Sequence, residues 1–188
     1  MRAFSTLFIA AAFALSANAA SVSKRDISPA VQLCLDSITS AGAQLEVVNT
    51  AVLAFTSSVG IIGANKIHTL EQVLETRLKK AGTDCCVQIG AITLPEADAV
   101  LATVEVLVPK VTSALSAITS KKSQFDAIFL ATAIVKNDIK ALDTQTKTLD
   151  ACLIAKTPID PPSYLITANG YVTEINNAFS AARSAYGI

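Results

Sequence analysis

The sequence predicts an all-α fold: an antiparallel bundle of about five helices, clamped by disulfides at one end. Apolar side chains recur at alternating spacings of three and four along nearly all of the chain after residue 26, the period of one helix face. No window alternates with period two for long enough to make a strand. The four cysteines, Cys34, Cys85, Cys86 and Cys152, fall where an up-and-down helical path brings them to a common end.

Residues 1–19 read as a signal peptide and are set aside from the fold. Arg2 is the basic start, Phe4 to Leu15 is apolar apart from Ser5 and Thr6, and Ala17-Asn18-Ala19 fits small-x-small cleavage. The apolar run is shorter than the ~20 residues a spanning helix needs. Residues 20–25 form a short propeptide ending in the dibasic processing pair Lys24-Arg25, and 26–188 a single helical-bundle domain. Basic and acidic residues number 15 each over the full chain; loss of Arg2, Lys24 and Arg25 leaves the mature part mildly acidic at −3. With no dense cationic face, nucleic acid is excluded as a partner. No second stretch reads as long enough to cross a membrane, and no hydrophobic anchor tail closes the chain, so the expected product is secreted and extracellular.

The helices follow in order. The first starts at Ser28-Pro29, a capping serine and a first-turn proline. It carries Val31, Leu35, Ile38, Leu45, Val48, Val52 and Phe55 on one face, and Gly60-Ile61-Ile62-Gly63 is expected to close it. The second runs from about Asn65 to Gly90. Thr93-Leu94-Pro95-Glu96 is a capping box that opens a third helix to about Thr119, bent at Pro109. The fourth spans Gln124–Ala155, with Phe125, Ile128, Phe129, Val135, Ile139, Leu142, Leu149 and Leu153 in register. The fifth begins near Ser163, after Pro161-Pro162.

An even cysteine count in an exported chain reads as disulfides. A bond between neighbours Cys85 and Cys86 is strained, so Cys34 and Cys152 are each expected to take one of them, with the choice left open. Bridges worth about 2–4 kcal/mol each would clamp that end and leave the Gly60–Gly63 end freer.

No catalytic, cofactor or metal site can be assembled from the residues. His68, the sole histidine, reads as a solvated residue at a helix start, and Glu71 and Glu75, spaced i,i+4, as a solvated face. There is no G-x-S-x-G, H-E-x-x-H, P-loop or G-x-G-x-x-G. Only seven aromatics follow the leader, so Val, Leu, Ile and Ala fill the interior. Such a core is either simply packed or leaves an elongated apolar cavity.

Several stretches are similar to one known family. These are Leu115-Ser116-Ala117-Ile118, Lys121-Lys122, Phe125-Asp126-Ala127, Asp138-Ile139-Lys140-Ala141-Leu142, and Leu149 through Lys156. Leu94-Pro95-Glu96-Ala97-Asp98-Ala99 and Ile175-Asn176-Asn177-Ala178-Phe179 extend the likeness over nearly all of the mature chain. The chain resembles the fungal hydrophobic surface binding protein A family, which includes the cell wall galactomannoproteins. The resemblance implies a non-catalytic helical protein that binds fatty acids, other lipids or hydrophobic solids, to which members recruit a secreted esterase. The adjacent cysteines and the missing Ser/Thr-rich stalk depart from the family's pattern. Burying about 15 methylenes at ~0.8 kcal/mol each yields a gross ~12 kcal/mol, enough to survive the entropic costs of association. The expected lining is Val48, Val52, Leu74, Val104, Val108, Phe129 and Val135; plain core packing is the competing reading for each. The alternative function is a structural or interaction protein of the cell wall or host interface, with a filled core.

Overall fold

The computed structural model describes residues 27–87 and 89–188; the expected leader, the propeptide with Lys24 and Arg25, and Asp26 lie outside the described residues. Six α-helices and no strand occur among the described residues: α1 (Pro29–Ala54), α2 (Gly60–Gly82), α3 (Leu94–Ser120), α4 (Lys122–Asp126), α5 (Ala131–Lys156) and α6 (Ser163–Tyr186). Five are long; α4 is little more than a turn. The expected caps form. Ser28 Oγ accepts from the Val31 N–H, and the Glu96 carboxylate accepts from the Thr93 N–H at 2.8 Å and the Ser28 N–H at 3.0 Å. α3 runs unbroken through Pro109.

Inter-helix contacts fix the directions. Ser40 meets Arg77, and the Gln44 amide donates to the Leu70 carbonyl, so α1 and α2 are antiparallel. Glu46 pairs with Lys110 and Asn49 with Ser113, so α1 and α3 run parallel. His68 meets Asp138 while Cys86 joins Cys152, which makes α2 and α5 parallel. Tyr164 bonds Asp98 while Tyr186 bonds the Ile118 carbonyl, which makes α3 and α6 parallel. Successive long helices therefore alternate in direction, but their spatial order is α1, α2, α5, α6, α3, closing back on α1. The core is the inside of that ring.

The cysteines sit together at one end, in Cys34–Cys85 and Cys86–Cys152 bonds. Adjacent residues on a helix point about 100° apart, and α2 lies between α1 and α5, so neighbouring cysteines reach both flanking helices. The pair sits in a π-helical turn, Thr83–Val87, that continues α2.

Three features depart from the sequence reading. α1 ends at Ala54, a 3₁₀ turn follows at Ser57–Val59, and Gly60 opens α2 instead of closing α1; its φ of 61° is a conformation glycine adopts without strain. The expected long fourth helix is split. Phe125 on α4 is wholly buried and stacks on Phe55 with centroids 4.2 Å apart. The chain then turns through Leu130 (φ 68°), and Thr132 Oγ1 donates to Asp126 across the turn at 2.7 Å. The 3–4 spacing misses this break because Phe125 before it, Ile128 within it and Val135 after it all still pack inward. Finally, α3 is itself long and apolar enough to cross a membrane (mean hydropathy 1.5), which corrects the expectation of no such stretch. Here it packs between α1 and α6.

Candidate functional site

An apolar cavity of about 110 Å³ lies inside the ring, with side chains from all five long helices on its wall. Val48 and Val52 of α1, Leu74 of α2, Val104 of α3 and Val135 of α5 line it. Val108 is buried in the surrounding core but is not part of the wall. Phe129 does not line it at all: 85% exposed, it stands on the outer surface of the α4–α5 turn. The wall also includes Ile67, Leu107, Ile118, Ile139, Leu142 and Phe179. Most of these share the helical stripes read from the sequence, but periodicity cannot tell which turn of a stripe faces the void.

Two readings of the polar residues are corrected. Glu71 is not on a solvated face: it is 3% exposed and lines the cavity. The signal was present in the spacing, since Ile67, Glu71, Leu74 and Leu78 step by fours and threes down one stripe and the carboxylate simply occupies an apolar slot. His68 is not freely solvated either. It is about one-third exposed, and its Nδ1 lies 2.8 Å from Asp138 Oδ1 and 3.9 Å from Glu71 Oε2.

Neither carboxylate oxygen of Glu71 has a hydrogen-bond partner in the geometry of the described residues. Burial, with the charges of Asp138 and Glu75 nearby, pushes its carboxyl up to about 9. Burial also raises Asp138, against the pull of His68. Asp150, on the wall some 18 Å farther along α5 at 1.5 Å per residue, is pushed up to about 6 by burial alone. Among the described residues this wall carries three carboxyls and no lysine or arginine.

His68, Glu71 and Asp138 offer one nitrogen and two carboxyl groups within 4.8 Å of one another. The 2.8 Å contact is that of a directly bonded His–Asp pair, with the Glu71 carboxyl behind it. No hydroxyl hydrogen-bonds to His68 among the described residues, and all four cysteines are in disulfides. The arrangement thus presents neither a Ser–His nor a Cys–His nucleophile.

The ring and its void define a helical bundle with an internal apolar cavity. The family model described as hydrophobic surface binding protein A matches residues 31–155, and the chain belongs to that family. Among curated protein sequences, none matches it. Two solved structures share the fold. One is Afmp4p in complex with palmitic acid (TM-score 0.77, 22% identity, covering 83% of this chain and 99% of that one). The other is ligand binding domain 1 of the Penicillium marneffei MP1 protein, complexed with arachidonic acids (TM-score 0.74, 18% identity, covering 85% and 99%). Family and disulfides are consistent with an extracellular protein.

Proposed function

We propose that this protein is a secreted, non-catalytic carrier that holds a long apolar chain, a fatty acid or related lipid, inside the five-helix ring. The observation that carries the reading is the cavity, walled by apolar side chains from every long helix. The bound fatty acids of Afmp4p and MP1 support it. Residues 1–19 as export signal and the Lys24-Arg25 cut belong to the same reading. At about 110 Å³ the void is below the ~300 Å³ of a typical ligand site, so a whole chain is admitted by separation of the helices. A dry apolar cavity of about this size already favours an apolar guest. Native mass spectrometry of the secreted protein, then solvent extraction, tests this: a co-purifying lipid near one per chain is expected. A clean apo mass that also refuses every added long-chain lipid would refute it.

A second reading, adsorption to hydrophobic surfaces with recruitment of a secreted esterase, is favoured by one observation. Ile62 (81% exposed), Phe129 and Leu130 all project at the end where parallel α2 and α5 begin. Adsorption through them should persist at ~1 M NaCl, where charge-driven contacts are screened.

A further inference from the structure

The wall of the cavity is thin on one side. Between parallel α1 and α3, a groove of about 280 Å³ runs along the outside of the ring. Ile38 and Leu107 line both spaces, so two side chains separate the groove from the cavity. Gly42 thins the partition further. It is buried in the middle of α1, where glycine weakens a helix, and a Cβ there would stand 3.2 Å from Leu107 Cδ1. Leu107 therefore packs against bare helix backbone. Neither disulfide crosses this seam.

The groove ends on a charge. Ile38, Gly42 and Glu46 step by fours down α1, while Thr103, Leu107 and Lys110 step by four and three down α3. Lys110 lines the groove, and its Nζ lies 2.9 Å from Glu46 Oε1. Glu46 is exposed, so this bridge adds little to stability, and an ammonium has three protons to donate. Val106, 60% exposed, lies along the same groove. The cavity itself offers an anion no such partner. Glu71, which keeps its proton up to about 9, has Glu75 to donate to, and His68 is engaged by Asp138.

We propose that the α1–α3 groove is the head-group subsite for a long-chain carboxylate, which crosses the wall over Gly42, between Ile38 and Leu107, and sets its anion on Lys110. The inference rests on the carrier reading and adds where the head rests. The apolar chain lies in the cavity and the separation of helices that admits it falls at this seam. Cavity and groove together exceed the ~300 Å³ of a typical ligand site, which the cavity alone does not reach. The carboxylate stays at the surface, so the cost of burying an unpaired charge is avoided. There it takes the place of Glu46 on the ammonium, a charge-assisted hydrogen bond.

The test is displacement of an apolar fluorescent probe from the secreted protein by palmitate and by hexadecanol, at pH 7.4 and low salt. Lys110→Gln should weaken palmitate about tenfold, the loss of one hydrogen bond to a charged group, and shift hexadecanol by less than about twofold. Glu46→Gln removes the same ion pair yet should hold or tighten palmitate, which separates head binding from a structural role of the bridge. Lys110→Arg should keep most of the palmitate affinity. Gly42→Leu, which fills the crossing, should weaken palmitate at least as much as Lys110→Gln; if that variant does not fold, the Lys110 and Glu46 variants decide alone. Three results overturn the subsite and leave the carrier reading standing: palmitate unmoved by Lys110→Gln or by a folded Gly42→Leu, palmitate and hexadecanol weakened equally by Lys110→Gln, or equal palmitate losses from Lys110→Gln and Glu46→Gln. Failure of both compounds to displace the probe from wild type overturns the carrier reading, and the subsite with it.

Discussion

Where Cys34, Cys85, Cys86 and Cys152 meet, α1, α2 and α5 are tied covalently. At the opposite end the same helices are held by contact alone. There α4 folds under α1 so that Phe125 stacks on Phe55, the Lys121 ammonium donates to the Phe55 carbonyl at 2.9 Å, and the Gln124 side chain accepts from the Ser57 N–H at 2.8 Å. The exposed apolar residues Val59, Ile62, Phe129 and Leu130 also gather at this end. A bundle that must part its helices to admit a chain needs one end that stays in register and another that opens. On the carrier reading proposed above, covalent bonds serve the first role, and the stacked rings and few hydrogen bonds of the other end would serve the second.

The comparison can be broken most severely at the plug. Phe125→Ala removes a fully buried ring and should cost about 3–5 kcal/mol, read as a lower urea midpoint with disulfides intact. A cost below ~1 kcal/mol would mean that α4 does not close this end. The clamp comes next: replacing both Cys86 and Cys152 by serine should cost about 2–4 kcal/mol while leaving the Cys34–Cys85 bond to hold α1 on α2. Unchanged stability on calorimetry would refute the clamp.

The pH dependence sharpens the contrast between the ends and the middle. Hydrogen bonds from Ser28 and Thr93, at the clamped end, hold the Glu96 carboxyl down to about 2 from an ordinary value near 4.5. Glu96 therefore adds stability above pH 4.5 that is lost as pH falls toward 2. Glu71, on the cavity wall, is shifted the other way, up to about 9. Its folded form holds the proton more tightly, so its contribution is intact below pH 4.5 and is lost as pH rises toward 9. Asp150, raised to about 6, adds to the lower part of that decline. Denaturation midpoints across pH 2–9 should thus trace a maximum near pH 4–5. Glu96→Gln should flatten the acid limb and Glu71→Gln the alkaline limb; limbs that do not respond separately would contradict both assignments.

The smallest expected effect on stability is at the surface. Phe129→Ser should change it by no more than about 0.5 kcal/mol and leave ligand affinity unaltered, while reducing retention on hydrophobic beads. Loss of ligand binding in this variant would return Phe129 to the cavity wall.

Much of the architecture is legible in the residues because its causes are local. Ser28-Pro29 and the Thr93–Glu96 box start helices wherever they occur, and a 3–4 apolar stripe has one way to be buried. The alternating directions follow from short connections, and the meeting of the cysteines follows from those directions. Val48, Val52, Leu74, Val104 and Val135 are on the wall because they lie on the inward side of such stripes. Phe129 misled for the same reason: it keeps the stripe's spacing across a break that only the Phe55–Phe125 contact explains.

Local chemistry thus determined helix content, caps, helix directions and the common end of the cysteines. The tertiary structure alone decided the ring order α1, α2, α5, α6, α3, and with it the cysteine pairing and the placing of Glu71 on a cavity wall beside Asp138. Each of those depends on which helix lies next to which, a choice made by contacts between residues some 40 to 70 positions apart, over which no repeat or period in the chain extends.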